Sequence, residues 1–276
     1  MQLQISILTD NTATYGYLAE WGLSVLIKTG NFCVLMDTGF TGTATFNSRT
    51  MGIDLASLDA IVLSHGHVDH TGGLRDVLLR SGAKPVLCHP AALEPKVRRA
   101  KNSPDRRIGM PLTREELESI GARLNLARGP VELAAGVFAG GEVPMKTGFE
   151  AIDEGLYHEA DNAVVPDPML DDLSLAFKTE RGLVIVLGCA HRGPVNVIRH
   201  FQNLTGEESV YALIGGMHLM HASEERLSET VRSLKATGVK KLFLGHCTGF
   251  HALARLANEF GDALVPIGSG TVHTIP

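Results

Sequence analysis

The stretch Ser64-His65-Gly66-His67-Val68-Asp69-His70 decides the fold of this chain, because it places three imidazoles and a carboxylate directly after the apolar run Ala60-Ile61-Val62-Leu63. In an extended segment the first two histidines point to the same side, and the aspartate and the third histidine begin a turn that brings them round. Neutral imidazole suits zinc, and the added carboxylate also suits manganese or iron. The stretch therefore predicts one or two divalent metal ions, zinc first, at the end of a strand.

Composition indicates the class of protein. The chain has 276 residues, of which 44% are hydrophobic, and this is enough to bury a large core. Its longest apolar stretch, from Leu183 to Ala190, is too short to cross a bilayer. Met1-Gln2-Leu3-Gln4 has no basic region like that of a secretory signal. The formal charge of -5 argues against general nucleic-acid binding. We expect a cytoplasmic protein that binds a small molecule, without membrane or nucleic-acid partners, and the sequence leaves a homo-oligomer open.

Strand-like and helix-like segments alternate in two halves of the chain. In the first half, a hairpin ends at Asp37-Thr38-Gly39, and the next strand delivers the histidine stretch. In the second half, apolar runs end at Gly188-Cys189-Ala190-His191, at Gly215-Gly216-Met217-His218 and at Gly245-His246-Cys247. Four strand ends therefore present histidine. The pattern predicts one α/β (α+β) domain that spans residues 1–276.

The middle of the chain, residues 91–165, differs in composition from both halves. A basic, proline-bearing run extends from Lys96 to Pro111, and a helix follows at Thr113, which forms a capping box with Glu116. We interpret 91–165 as an insert or lid over the sheet. Its basic side chains form either a solvated helix face and loop or contacts for a substrate phosphate, and the sequence leaves both open: Arg98, Arg99, Lys101, Arg106 and Arg107.

The order of these motifs resembles the metallo-β-lactamase superfamily over essentially the whole chain. Asp37-Thr38-Gly39 is similar to the first motif of that family, whose aspartate supports the metal loop. The stretch from His65 to His70 is similar to the second motif, and His246 is similar to the final histidine. The resemblance implies an αββα sandwich, in which two mixed sheets lie face to face with helices outside and hold the metal at one edge.

Shorter segments look like one branch of that superfamily, the dihydropteroate-synthase-like proteins. The segments are Glu20-Trp21-Gly22-Leu23-Ser24, Gly141-Glu142-Val143-Pro144, Gly188-Cys189-Ala190-His191-Arg192-Gly193, Gly215-Gly216-Met217-His218-Leu219 and His246-Cys247-Thr248-Gly249. The branch resemblance implies a pterin-type transfer reaction as an alternative to hydrolysis.

The resemblance also implies a ligand set, with one gap. The bridging aspartate of the family falls on the segment that contains Cys189, and the histidine that normally precedes it would fall at residues 168–170, where the chain has none. The substitutes are three aspartates or one later histidine, and we favour the last: Asp167, Asp171, Asp172 or His191. Cys189 either bridges two metal positions as a thiolate or is an inert buried thiol.

The predicted metal ligands then divide into two positions. One position takes His65, His67 and His191, the other takes Asp69, His70 and His246, and Asp37 supports them. The predicted catalytic residues are Asp69 and His218, and the predicted substrate contacts are His89, Lys146, Arg192 and His218.

Three functions remain open for this site. The first is a hydrolase that uses a metal-bound water on a small phosphorylated or ester substrate. The second is a transferase that condenses a dihydropterin methyl pyrophosphate with an aminobenzene ribofuranosyl phosphate, so that its substrate is pterin-like. The third is a non-catalytic metal-binding sensor, for which the missing histidine is the best argument.

Overall fold

Two seven-stranded sheets pack face to face in the computed structural model, which describes residues 1–101, 103–160 and 163–276. In spatial order the first sheet consists of β18 (Val272–Ile275), β1 (Leu3–Thr9), β2 (Ser24–Thr29), β3 (Phe32–Met36), β4 (Ala60–Val62), β5 (Lys84–Cys88) and β8 (Ala122–Leu126). Pairing is antiparallel from β18 to β3 and parallel from β3 to β8. This sheet is therefore mixed.

The second sheet repeats the same plan. In spatial order it consists of β17 (Leu264–Pro266), β16 (Lys241–Leu244), β15 (Val210–Gly215), β14 (Gly182–Val186), β13 (Leu175–Thr179), β10 (Val137–Ala139) and β9 (Val131–Ala134). Pairing is antiparallel from β9 to β14 and parallel from β14 to β17. In both sheets the parallel strands carry the segments from which the sequence predicts ligands.

Seven helices accompany the sheets in the described part of the chain. They are α1 (Thr43–Thr50), α2 (Val68–Thr71), α3 (Leu74–Ser81), α4 (Arg114–Ser119), α5 (Pro194–Thr205), α6 (Glu224–Thr237) and α7 (Phe250–Phe260). Among the residues described, no helix has both the length and the apolar character needed to cross a membrane.

Apolar side chains divide into three layers that explain the sandwich. Between the sheets, Ile5 and Val34 of the first sheet pack in one cluster with Phe177 of the second. Outside the first sheet, side chains of α1, α3 and α4 form a second cluster, and outside the second sheet, side chains of α5, α6 and α7 form a third. Helices therefore cover both outer faces, and the predicted αββα sandwich with two mixed sheets is confirmed.

A third, four-stranded sheet has the order β12 (Ala163–Pro166), β11 (Leu156–Ala160), β6 (Lys96–Ala100) and β7 (Ser103–Arg107). Of the two interpretations left open for the basic residues, the helix face is therefore wrong, because Arg98 and Arg106 lie opposite each other on two paired strands. Just after β7, the carbonyl of Ile108 accepts a hydrogen bond from Val68 N at 2.8 Å. The small sheet is thereby joined to the histidine stretch.

The predicted insert, 91–165, is distributed over three sheets. Its strand β8 completes the first large sheet, and β9 and β10 lie at the edge of the second. In the described part of the chain, the small sheet takes β6, β7, β11 and β12. The capping box of Thr113 with Glu116 is present at α4 as predicted. A lid role for 91–165 stays a prediction.

Helix α5 begins three residues after the predicted ligand His191, and a residue from a distant loop caps it. The residue before the helix, Gly193, has no side chain with which to cap it. Glu150 takes this role, since its carboxylate accepts hydrogen bonds from Val195 N at 2.8 Å and from Asn196 N at 2.9 Å. The buried carboxylate thereby satisfies free N–H groups at the positive end of the helix dipole.

Candidate metal centre

Six chemistry-bearing residues lie one to five residues after the ends of parallel strands, and all meet at one edge of the sandwich. Asp37 follows β3, His65 follows β4, Cys189 and His191 follow β14, His218 follows β15 and His246 follows β16. The carboxyl ends of parallel strands lie at the same sheet edge, where α/β proteins bind ligands. The sequence prediction that four strand ends present histidine to one place therefore agrees with the structure.

The first group of donor atoms comes from His65, His67 and His191. His65 Nε2 lies 2.9 Å from His67 Nδ1 and 3.3 Å from His191 Nε2. Two nitrogens bound to one tetrahedral zinc at about 2.05 Å would lie about 3.3 Å apart. Burial lowers the pKa of all three histidines well below the ordinary value, and neighbouring histidines lower it further. The imidazoles are therefore neutral, as metal ligands must be.

The second group of donor atoms lies around His70. Its Nε2 is 3.1 Å from His246 Nε2 and 3.1 Å from Cys189 Sγ. The carboxylate oxygen Oδ2 of Asp69 lies 3.7 Å from the same atom of His70 and 3.6 Å from His246 Nε2. Cys189 Sγ also lies within 4.8 Å of donor atoms of His65 and His191, so it stands between both groups. This donor set fits one or two divalent ions.

Asp37 orients both groups from beneath. Its carboxylate accepts hydrogen bonds from Ser64 N at 2.7 Å, from Ser64 Oγ at 2.6 Å and from His70 Nδ1 at 2.7 Å. Ser64 Oγ in turn lies 2.9 Å from His65 Nδ1. These contacts leave Nε2 of both rings facing the centre, which is the usual outer support of a metal-binding histidine. Although burial opposes it, the charge of Asp37 raises the pKa of His70 to about 9, so a metal ion bound at its Nε2 would have to displace a proton.

The backbone is strained around this centre. Five described residues other than glycine have a positive φ, and four of them belong to the site: Asp37 (61°), Ala190 (54°), His218 (47°) and His246 (49°). Such conformations are unfavourable for residues with a Cβ and concentrate at functional sites. These backbone conformations direct side chains at the strand ends toward the same site. Hydrophobic periodicity in the sequence does not reveal such conformations.

Sequence reasoning missed Cys247 as a site residue. Donor atoms of Cys189, His218 and Cys247 all lie within 4.8 Å of one another, which makes a third group that can hold a metal. Burial raises the pKa of the Cys189 thiol, whereas hydrogen bonding from Cys189 and from His218 lowers the pKa of Cys247 despite its burial. One thiolate is therefore favoured in this pair. The position of Cys247 directly after the predicted ligand His246 was the sequence signal that could have indicated its place in the site.

A cavity of about 370 Å³ opens beside the three donor groups. Its lining includes six donor residues besides His218, the aromatic residues Trp21 and Phe40, two arginines and the polar residues Asp153, His218 and His221. Trp21 Nε1 donates a hydrogen bond to Asp69 Oδ2 at 3.1 Å. His218 Nε2 bonds to Asp153 Oδ2 at 2.9 Å, and the His218 ring also faces Cys247, whose pKa it lowers. A substrate in this cavity would contact the donor groups directly.

Three predicted substrate contacts do not line this cavity. Arg192 Nε donates to Val143 O at 2.5 Å and its Nη1 donates to Pro168 O, so this guanidinium holds two loops together. His89 bonds to Glu142 at 3.0 Å, and Lys146 is exposed elsewhere on the surface. Of the four predicted contacts, only His218 reaches the cavity.

The three aspartates considered as substitute ligands have other partners. Lys96 Nζ, fully buried, lies 2.7 Å from Asp167 Oδ2 and 3.0 Å from Asp171 Oδ1. The second oxygen of Asp171 accepts a hydrogen bond from Gly66 N at 2.8 Å, between two donor histidines. Asp172 accepts from Arg192 N at 2.8 Å. This arrangement favours His191 as the residue that fills the gap in the motif, and it connects Lys96 to the histidine loop.

Comparison with known proteins agrees with the fold and the motif. Residues 22–246 match the family described as the metallo-beta-lactamase superfamily. The chain belongs to this superfamily. It is similar to 7,8-dihydropterin-6-methyl-4-(beta-D-ribofuranosyl)-aminobenzene-5'-phosphate synthase of Methanocaldococcus jannaschii, with 35% identity over 98% of this chain and 96% of the relative. The similarity to the dihydropteroate-synthase-like branch is thereby confirmed.

Two solved structures extend this comparison. The crystal structure of Tm1679, described as a metal-dependent hydrolase of the beta-lactamase superfamily, covers 98% of both chains with 27% identity and a TM-score of 0.85. The metallo-beta-lactamase fold protein YhfI from Bacillus subtilis covers 99% of both chains with 14% identity and a TM-score of 0.60. The second likeness concerns the fold alone. The protein thus belongs to an enzyme superfamily, and its histidine and cysteine side chains form groups that could hold a metal ion.

Proposed function

We propose that this protein is a metal-dependent transferase, which joins a dihydropterin methyl pyrophosphate to an aminobenzene ribofuranosyl phosphate. The observation that carries the proposal is the 35% identity, over 98% of the chain, to a relative named as a synthase of the corresponding product. Sequence reasoning placed hydrolysis first and this transfer second. The similarity favours the second reading.

The proposed reaction exchanges one bond for another. The amine nitrogen of the aminobenzene forms a bond to the methylene carbon of the pterin, and the carbon–oxygen bond to pyrophosphate breaks. Pyrophosphate leaves with the bonding electrons, and the amine loses one proton. When bound, divalent ions would offset the negative charge that develops on the leaving pyrophosphate. His65, His67 and His191 would hold one ion, and Asp69, His70 and His246 a second, with zinc the first expectation.

The remaining cavity residues suit these substrates. Trp21 and Phe40 are half exposed, and their rings offer apolar faces on which a flat pterin can stack. Asp153 fixes the His218 ring through Nε2, so this ring holds a set position in the cavity wall beside Cys247. The cavity therefore combines a stacking surface with a positioned polar side chain beside the donor groups, and both serve to orient two substrates toward each other.

Hydrolysis is the second candidate. The resemblance to Tm1679, described as a metal-dependent hydrolase, favours it, since the coverage is 98% and the TM-score 0.85. The same donor groups would then activate water against a phosphorylated or ester substrate. The two functions differ in the nucleophile, and an assay can separate them on that basis.

Incubation of the zinc-loaded protein with both substrates tests the proposal. We expect pyrophosphate release that requires the arylamine, together with a coupled product detected by mass spectrometry. His67→Ala is the inactive control, because it removes one of the three donor side chains of the first group.

The other outcomes assign the function differently. Pyrophosphate release without the arylamine, accompanied by a hydroxymethyl pterin, would establish the hydrolase instead. No turnover of these substrates or of an ester and phosphoester panel, with a melting temperature that still rises on ligand addition, would indicate a non-catalytic binder.

A further inference from the structure

Two arginines of the small sheet face the cavity side by side. Arg98 on β6 and Arg106 on β7 are directly opposite in the antiparallel register, and Leu156 on β11 lies opposite Arg98 on its other side. All three residues line the cavity, together with Ile108, which follows Arg106 by two positions and therefore shares its strand face. One row across three strands thus presents two guanidinium groups to the cavity.

Among the described residues, neither arginine of this pair has a carboxylate in ion-pair contact, although the charge of Arg98 acts on Asp153 from a greater distance. Directly opposed like charges destabilise a sheet. In the described part of the chain, no carboxylate lies within 4.0 Å of a nitrogen of Arg98 or Arg106, whereas the neighbouring Arg99 pairs with Asp105 at 2.9 Å. The nearby cavity carboxylate Asp153 is already bonded to His218 and lies 3.8 Å from Arg226. An anion between the two guanidinium groups would remove the repulsion.

We propose that Arg98 and Arg106 form a binding site for the terminal phosphate monoester of the aminobenzene riboside. This inference rests on the proposed function and names the residues that select one of its two substrates. Arginine binds phosphate oxygens through paired N–H groups, and a phosphate monoester carries about -1.5 to -2 charges near neutral pH, which two arginines can match.

The chemistry of the substrates places this phosphate away from the donor groups. The pyrophosphate is attached to the reacting carbon and must lie beside His67, His191 and their neighbours. The phosphate of the riboside is separated from the reacting amine by the benzene ring and the ribose, so it needs a second cationic site. Among the described residues, Arg98 and Arg106 are the lysine or arginine side chains that line the cavity. They are therefore the residues suited to this second anion.

Kinetics with a matched pair of substrates tests the site. We expect Arg98→Ala and Arg106→Ala each to raise the KM for the phosphorylated riboside about 10- to 100-fold, as expected for the loss of a hydrogen bond to a charged group. The kcat/KM for the dephosphorylated riboside should stay within about twofold, because that substrate lacks the anion. Arg107→Ala is the control, since Arg107 is the exposed neighbour on β7 and does not line the cavity.

A binding experiment separates this inference from the proposed function. Calorimetry with ribose 5-phosphate, and with ribose as control, is carried out on the zinc-loaded protein and on both variants at equal metal content. Ribose 5-phosphate binding that is lost in the variants supports the site, even where no synthase activity is found. Synthase activity with equal discrimination between the two ribosides in wild type and variants would overturn the site and leave the proposed function standing. Unchanged ribose 5-phosphate binding in the variants would overturn the site as well.

Discussion

His191→Ala is expected to lose metal and to lower turnover more than about 100-fold. Mutation of a residue that only supports a metal ligand already lowers metal affinity or activity about 10- to 100-fold, and removal of the ligand itself should have a larger effect. His191 Nε2 lies 3.3 Å from His65 Nε2, so its truncation leaves the first donor group with two histidines. Plasma mass spectrometry of the purified variant measures the metal directly. The measurement decides which residue completes the interrupted motif.

His251→Ala is the matched control for this prediction. His251 lies exposed on α7, away from the donor groups, and its loss should leave metal content and turnover unchanged. Metal content equal to wild type in His191→Ala would contradict the assignment. His218→Ala should then be measured, because His218 belongs to the neighbouring donor group with Cys189 and Cys247.

Lys96→Met is expected to lower the free energy of unfolding by about 3–5 kcal/mol, the usual effect of removing one partner from a buried ion pair. Lys96 is fully buried between Asp167 and Asp171, so the variant leaves two buried carboxylates without their counter-charge. Because Asp171 also holds Gly66 N, the variant should release metal at a lower chelator concentration. Urea unfolding and chelator titration measure the two effects.

Arg114→Met is the control for the buried pair. Arg114 pairs with Glu118 at 2.9 Å on the surface of α4, where solvent screens the interaction. Its unfolding midpoint should match that of wild type. Equal midpoints for the two variants would show that the buried Lys96 pair has no structural role.

The effect of Lys96→Met should also depend on pH. Burial acts to raise the pKa of Asp167, but Lys96 more than offsets it and holds that pKa below the ordinary value. A lowered carboxyl pKa stabilises the folded protein above the unfolded value of about 3.9 and loses this effect as pH falls further. In the variant, burial acts without this counter-charge and raises the carboxyl pKa above the ordinary value. The stability difference between wild type and variant should therefore already shrink above about pH 4, as falling pH protonates the buried carboxylates of the variant, and shrink further below it.

Local patterns were sufficient for the parts of the fold that carry strong signals. The buried strand β14 and the helices α6 and α7 follow from apolar runs, from the cap at Ser223 and from helical periodicity. The motif from His65 to His70 was sufficient to predict the sheet edge at which the metal-donor side chains meet, since the ends of parallel strands lie at the same edge. These features depend on residues close in sequence.

Other elements depend on contacts between distant residues. Helix α1 contains few apolar residues, and its Asn47 donates to Leu8 O at 2.7 Å and to Leu18 O at 2.8 Å, so tertiary bonds hold it in place. Strand β18 is short and forms by pairing with β1 at the other end of the chain. Arg98 and Arg106 likewise come to lie opposite each other only when β6 and β7 pair.

The position of Trp21 gives this protein an internal optical reporter. Trp21 is the chain's one tryptophan, and its indole both lines the cavity and donates to the carboxylate of Asp69. Its ring centroid also lies 5.6 Å from that of His246, across the second donor group. Intrinsic fluorescence excited at the indole band therefore arises from a single place, beside both the donor atoms and the stacking surface, and needs no attached dye.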